Sequence, residues 1–292
     1  MPPTHIALAV LCTMIWGLNF VVIKWGLVDF PPLLFAGLRF ALASLPFLPF
    51  LRAPRAQWRT VVGVGLFMGV GQFGFLYSGI KFGMPAGLSS AVLQTQAFFT
   101  VILAILVIGE RPRWQNLVGM VMAFAGVATI AGHLGEVPWL PFLMVICAAA
   151  SWAVSNVIVR RAAPPDAFGL IVWSSAVATL PLLALSWMLE GSARLLGALA
   201  GPSWLELGSL AYIAFLSTNI GFSAWSHLLR KHPAALVAPF ALMVPFWGIG
   251  SSALLLGEKL DTAKLIGAGL IVAGLAANSW PARKARALAA AD

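Results

Sequence analysis

Asn19, Gln72, Gln94, Gln96, Asn156 and Asn219 each fall inside a long apolar run, where a side-chain amide has no water to satisfy it. An amide left without a partner in hydrocarbon costs on the order of 2–7 kcal/mol. Such groups therefore face a bundle interior, where they bind one another or a polar solute. Aromatic residues accompany them: Trp16 precedes Asn19, Tyr77 follows Gln72, Phe98 follows Gln96, Trp225 follows Asn219, and Phe246 lies beside Trp247 in a later run. Amides flanked by rings suit a zwitterion with a large apolar side chain. The amides would hydrogen-bond its charged ends and the rings would enclose the rest. The competing reading is that the amides only tie helices together, at up to about 1–2 kcal/mol each, while the rings face lipid or form interfacial belts.

Other chemistries lack their residues. No Asp or Glu lies near the middle of an apolar run, and His227 is the one candidate proton relay, beside the basic "LLRKHP". Facilitated export, or coupling without a carboxylate, follows. No nucleotide-binding loop supplies ATP-driven pumping. Cys12 and Cys147 form no CxxC, and His5, His133, His227 and His232 are spread over different loops and ends. No metal, no cofactor and no enzyme activity are expected. A channel is disfavoured by the lack of charged rings.

The elements that must position these groups are membrane helices. The 292 residues are 61% hydrophobic and 9% charged, with a mean hydropathy of +0.94, far outside the range of soluble domains. Ten segments have the roughly 20 apolar residues that a spanning helix needs: 5–24, 32–51, 58–80, 86–107, 114–131, 139–159, 168–189, 206–228, 234–256 and 263–280. Breaks such as "DFPP", "GERPRW", "RRAAPPD" and "GEKLDTAK" separate them. The amino terminus lacks a signal-peptide pattern, so its apolar run reads as a span that stays.

Counting Lys and Arg in alternate loops sets the orientation. With the amino terminus inside, the inner set is Arg52, Arg55, Arg59, Arg111, Arg113, Arg160, Arg161, Arg230, Lys231, Arg283, Lys284 and Arg286. Lys24, Arg39, Lys81, Arg194, Lys259 and Lys264 fall outside, with Lys24 reaching the headgroups. The whole formal charge of +9 then belongs to one face. That leaves nucleic acid unnecessary as a partner and puts both termini in the cytoplasm; the bilayer and a small-molecule substrate are the expected partners.

The chain also repeats itself. "GERPRWQNLVGMVMAFAG" (109–126) aligns with "GEKLDTAKLIGAGLIVAG" (257–274), "GQFGF" (71–75) with "TNIGF" (218–222), and "WGLNFVVIK" (16–24) with "WAVSNVIVR" (152–160). Gln72 thus stands over Asn219, and Asn19 corresponds to Asn156 with one slipped residue between tryptophan and asparagine. Two five-span units, 1–135 and 136–292, follow. Five is odd, so the second unit crosses in the opposite sense. Inverted repeats are the architecture of secondary transporters, which bind solute between the halves near the midplane. The expected fold is all-α and integral to the membrane: ten transmembrane helices as two inverted five-helix repeats around a central cavity. Pro239 and Pro245 break the ninth span and are candidate hinges.

These features, with the "WG.NF" of the first span and the paired "GE" loops, resemble the EamA branch of the drug/metabolite transporter superfamily along essentially the whole chain. The overall sequence is most similar to bacterial exporters of the YddG type. That resemblance implies export of aromatic and other neutral amino acids across the inner membrane; a broad exporter of apolar metabolites or drugs is the alternative. One departure is "QTQAFF" (94–99), where related halves often keep a proline that only "APFALMVPFW" retains here.

Overall fold

The computed structural model describes residues 1–53, 57–109, 114–133, 137–162, 166–232, 237–259 and 261–279. Its regular structure is helical throughout. Seven helices are long and apolar enough to cross a membrane, and three shorter apolar helices, 114–130, 240–256 and 262–277, complete ten spans. Arg55, Glu110, Arg111, Arg113, Glu136, Arg283, Lys284 and Arg286, used in the charge count, lie outside the described residues, as do the side chains of Arg230 and Pro239.

The spans are Pro3–Gly26, Pro32–Ser44 with a 3-10 turn at Leu48–Phe50, Trp58–Lys81, Ala86–Val92 continuing to Ile108, Trp114–Gly132, Trp139–Ala162, Ala167–Glu190, Trp204–Ala211 continuing to Lys231, Ala238–Leu242 continuing to Leu256, and Thr262–Ser279. A further short helix, Ser192–Ala200, joins spans 7 and 8 and was not expected from the sequence. Irregular backbone recurs in register between the halves. Spans 3 and 8 carry π-helical segments at Gly65–Phe73 and Tyr212–Gly221, and spans 4 and 9 carry 3-10 turns at Leu93–Thr95 and Ala238–Leu242. Spans 4 and 9 also end alike. Gly109 and Gly257 take positive φ, +76° and +65°, the left-handed cap that stops a helix at little cost only for glycine.

Packing supplies the symmetry. Going from neighbour to neighbour, spans 7, 3, 6, 4, 9, 1, 8 and 2 form a closed ring, since span 2 packs again on span 7. Exchanging each span for its repeat mate returns the same ring. Spans 5 and 10 stand outside it and pack on each other. A Cβ on Gly126 would lie 2.5 Å from the Gly267 carbonyl, and one on Gly274 would lie 2.5 Å from the Gly119 carbonyl. As span 5 advances from 119 to 126, its partner retreats from 274 to 267. The two are antiparallel, as mates in an inverted repeat must be. The protein is thus an all-α integral membrane protein of two inverted five-helix repeats. At these crossings backbone meets backbone, so no side chain can yield. We expect Gly126→Val to destabilise the protein by at least about 1–3 kcal/mol, read as a lower melting temperature of the detergent-solubilised protein.

All the acidic residues described except Asp29 close helix ends. Glu258 accepts from the Ala86 and Gly87 amides at 2.9 and 3.0 Å, capping span 4, and pairs with Lys24 at 2.8 Å. Glu190 caps span 2 through the Leu33 and Leu34 amides. Glu206 forms a capping box with Ser203 and also accepts from the Asp29 amide. Carboxylates at helix N-termini answer both the free amides and the positive dipole end. Two expectations are corrected here. Lys24 is not left free for the headgroups: its side chain, still 42% exposed, bridges span 1 to Glu258. Arg39 is not in an outer loop: it lies within span 2 and is 1% exposed.

Candidate functional site

The predicted site residues separate into distinct groups. Asn19, Gln72 and Asn219 are 8%, 2% and 7% exposed, on spans 1, 3 and 8 of the ring. Each carries a buried side-chain atom without a hydrogen-bond partner: Oδ1 of Asn19, Oε1 of Gln72, and both Oδ1 and Nδ2 of Asn219. The Trp247 indole N–H on span 9 is unpartnered too. Native proteins satisfy nearly all such groups, and each exception asks for a reason. Buried amides left unpaired on ring spans carry a desolvation cost that no protein group offsets. Gln72 and Asn219 both lie in the π segments, a distortion that tends to mark functional positions in helices.

Asn156, the repeat mate of Asn19, is occupied instead. Its Nδ2 donates to Gln96 Oε1 at 2.8 Å and to Thr100 Oγ1 at 3.1 Å, fastening span 6 to span 4. Equivalent positions thus do different work in the two halves. Gln94, 7% exposed, answers the proline at Pro245. That proline has no N–H, so the carbonyl four residues earlier, Ala241, lacks its α-helical donor and accepts a backbone N–H at the end of the 3-10 turn instead. Gln94 Nε2 donates to this carbonyl at 3.4 Å. This bond adds a tie from span 4 to the break in span 9. Pro245 is buried near the start of Met243–Leu256, just past the 3-10 turn that contains Pro239 in its backbone.

Trp16 and Trp225 come together, ring centroids 5.2 Å apart, with Phe222 at 5.2 Å from Trp16. The Trp16 indole donates to the Ser217 carbonyl at 3.2 Å, two residues before Asn219. Phe98 is fully buried in the main apolar core, whereas Phe246 is 66% exposed. Tyr77, 0% exposed, is not a belt residue. Its hydroxyl accepts from Arg39 Nη1 at 2.7 Å. Arg39 is the residue that sequence reasoning missed; the signal was a lone Arg inside "LLFAGLRFALAS" (33–44), with apolar sequence on both sides.

The histidines are also less scattered than the sequence suggested. His5 Nδ1 and His232 Nε2 are 2.6 Å apart, and the His5 and His227 rings meet edge-on at 5.8 Å. The cluster joins the start of span 1 to the end of span 8. His232 is held below the ordinary histidine value, first by desolvation and then by the positive charge of His5, the amino terminus, His227 and Lys231. A histidine held neutral in the folded state contributes stability above its unfolded value, about 6.5, and loses it as pH falls. Melting temperature is expected to fall between about pH 7 and pH 5, and His5→Ala or His232→Ala to flatten that slope, as scanning calorimetry across pH would report.

A closed ring of spans in two inverted halves, with unpartnered polar groups buried on its members, defines a multi-pass membrane transporter. The chain matches the EamA-like transporter family twice, over residues 4–132 and 139–280, and it belongs to that family. It is similar to the "Probable amino-acid metabolite efflux pump" of Salmonella typhimurium, 42% identical over 96% of each chain, and to the protein of the same description in Escherichia coli, 40% identical over 96% of each. A solved crystal structure superposes with a TM-score of 0.63 at 20% identity, covering 95% of this chain and 96% of that one, a likeness of fold. The protein is a transporter and not an enzyme.

Proposed function

We propose that this protein exports neutral amino acids, aromatic ones foremost, across the bacterial inner membrane, with both termini in the cytoplasm. The observation that carries the reading is the set of unpartnered carboxamides Asn19, Gln72 and Asn219. A purely apolar drug or metabolite would leave these groups unsatisfied at every step, whereas a zwitterion supplies donors and acceptors together. Trp16, Tyr77 and Trp225, on the same three spans, supply aromatic surface for an apolar side chain, and Gln94, Gln96, Phe98, Asn156 and Phe246 belong to the surrounding assembly. The efflux description of the relatives supports the direction. The halves 1–135 and 136–292 would rock about the ring, with span 9 bending at Pro239 and Pro245, so that access alternates. The acids described lie at helix ends, which supports facilitated export rather than a carboxylate proton relay.

Purified protein in liposomes should exchange labelled phenylalanine or tryptophan faster than protein-free vesicles, independently of a pH gradient. Absence of exchange for every neutral amino acid in a panel would refute the substrate class. Uphill export driven by a proton gradient would refute the facilitator.

A further inference from the structure

Arg39 carries a full positive charge seven residues into span 2, so by the helical rise of 1.5 Å per residue it lies roughly 10 Å below the start of that helix. It is 1% exposed. Nη1 donates to the Tyr77 hydroxyl, and Nε and Nη2 donate to Thr218 Oγ1 at 3.2 and 3.0 Å. The guanidinium lies over the Phe73 ring at 3.9 Å and near Phe40 at 5.2 Å. Every one of these partners is neutral. Among the described residues the carboxylates Asp166, Glu190, Glu206, Glu258 and Asp261 are engaged at helix termini, Asp29 lies in the turn after span 1, and no carboxylate is bonded to Arg39.

A guanidinium offers five N–H donors, and three are used here. Buried charges are otherwise paired or functional, inside membranes above all. What surrounds this one is informative. Phe73, under the guanidinium, adjoins Gln72; Thr218, its acceptor, adjoins Asn219. The two amides with unpartnered atoms on spans 3 and 8 are thus chain neighbours of the groups that hold the cation. Three of the orphan atoms, Asn19 Oδ1, Gln72 Oε1 and Asn219 Oδ1, are acceptors, and an ammonium has three donors to give. One buried cation lacking an anion, with acceptors lacking a donor on spans 1, 3 and 8, is the complement of an α-amino acid.

Building on the function proposed above, we infer that Arg39 is the anchor for the substrate's α-carboxylate. It receives the two carboxylate oxygens through its guanidinium fork when span 2 parts from span 8, taking the carboxylate in place of Thr218. In the closed arrangement Tyr77, Thr218 and the Phe73 face hold the charge in reserve. The site therefore selects for a free carboxylate, and amino acid amides or the corresponding amines are poor substrates.

The test is a selectivity ratio in liposomes containing the full chain. Unlabelled phenylalanine, phenylalaninamide and phenethylamine compete with the best labelled neutral amino acid of the panel. Wild-type protein should prefer phenylalanine to the two carboxylate-free probes by at least about 10-fold. In Arg39→Gln the ratio should fall to about one, with Arg39→Lys between the two. A residue serving only as a structural pin would reduce all three together, so an unchanged ratio in Arg39→Gln overturns the inference. Should that variant not insert, wild-type protein decides: phenylalanine should raise its melting temperature and phenylalaninamide should not. Equal shifts overturn the inference while leaving amino acid transport standing, whereas failure of wild-type protein to carry any neutral amino acid overturns both.

Discussion

Asn219→Leu is expected to cut amino acid exchange by about 10- to 100-fold while leaving the protein as stable as before, or up to about 1 kcal/mol more stable. The two effects have one cause. Both side-chain polar atoms of Asn219 are buried and unpartnered, so in the empty protein the amide costs desolvation and returns nothing. Leucine, with the same number and branching of heavy atoms, removes that cost and, with it, the groups that would meet the solute. Asn19→Leu should behave in the same way. Asn156→Leu should do the reverse: it strands Gln96 Oε1 and removes a bond to Thr100, so stability should drop by about 1–3 kcal/mol. Paired measurements of flux and melting temperature on the three variants separate site from scaffold. A stability loss for Asn219→Leu as large as that for Asn156→Leu would make Asn219 a packing residue.

Gly17→Val is expected to have the largest effect on assembly. A Cβ on Gly17 would overlap Trp247 Cβ and stand 2.9 Å from the Val244 carbonyl. Backbone cannot retreat as a flexible side chain would, so spans 1 and 9 must separate. Overpacking of this kind costs about 1–3 kcal/mol or more. Here it also displaces Trp16 and Asn19 on one side and unseats the Pro245 break on the other. Both folded yield and flux should fall steeply, whereas Gly208→Ala, where a Cβ meets nothing within 4 Å, should alter neither. Yield measured by fluorescence-detected chromatography checks the pair.

Much of this fold is legible because lipid imposes one rule: a spanning segment must be long, apolar and helical. The spans and the duplication can be read directly, since "GERPRW" and "GEKLDT" punctuate matching places. The inversion follows from counting. What stays hidden depends on distant contacts. Charge counting assigns a lone Arg to the nearest loop, and nothing in "FAGLRFALAS" reveals that Tyr77 and Thr218 will receive it. His5 and His232 are separated by 227 residues, and only the closing of the ring makes them neighbours. The π segments at Gln72 and Asn219 leave no mark on hydropathy. Aligned amides also mislead, because Asn19 and Asn156 occupy equivalent positions while only Asn156 Nδ2 finds partners across to span 4. A similar limit applies to rings: Phe98 and Phe246 look alike in sequence, yet one is buried and the other is 66% exposed.

Chemical access to the ring interior is the most direct test. A single cysteine placed at Ser223, one helical turn beyond Asn219 on span 8, in protein with Cys12 and Cys147 changed to alanine, should react with a small membrane-impermeant thiol reagent applied in turn from either side of oriented vesicles. Saturating neutral amino acid should slow that reaction several-fold, by about the factor expected from occupancy of the site. A cysteine at this position that stays unreactive from both sides, or reacts at the same rate with substrate present, would contradict a transport site built on these amides.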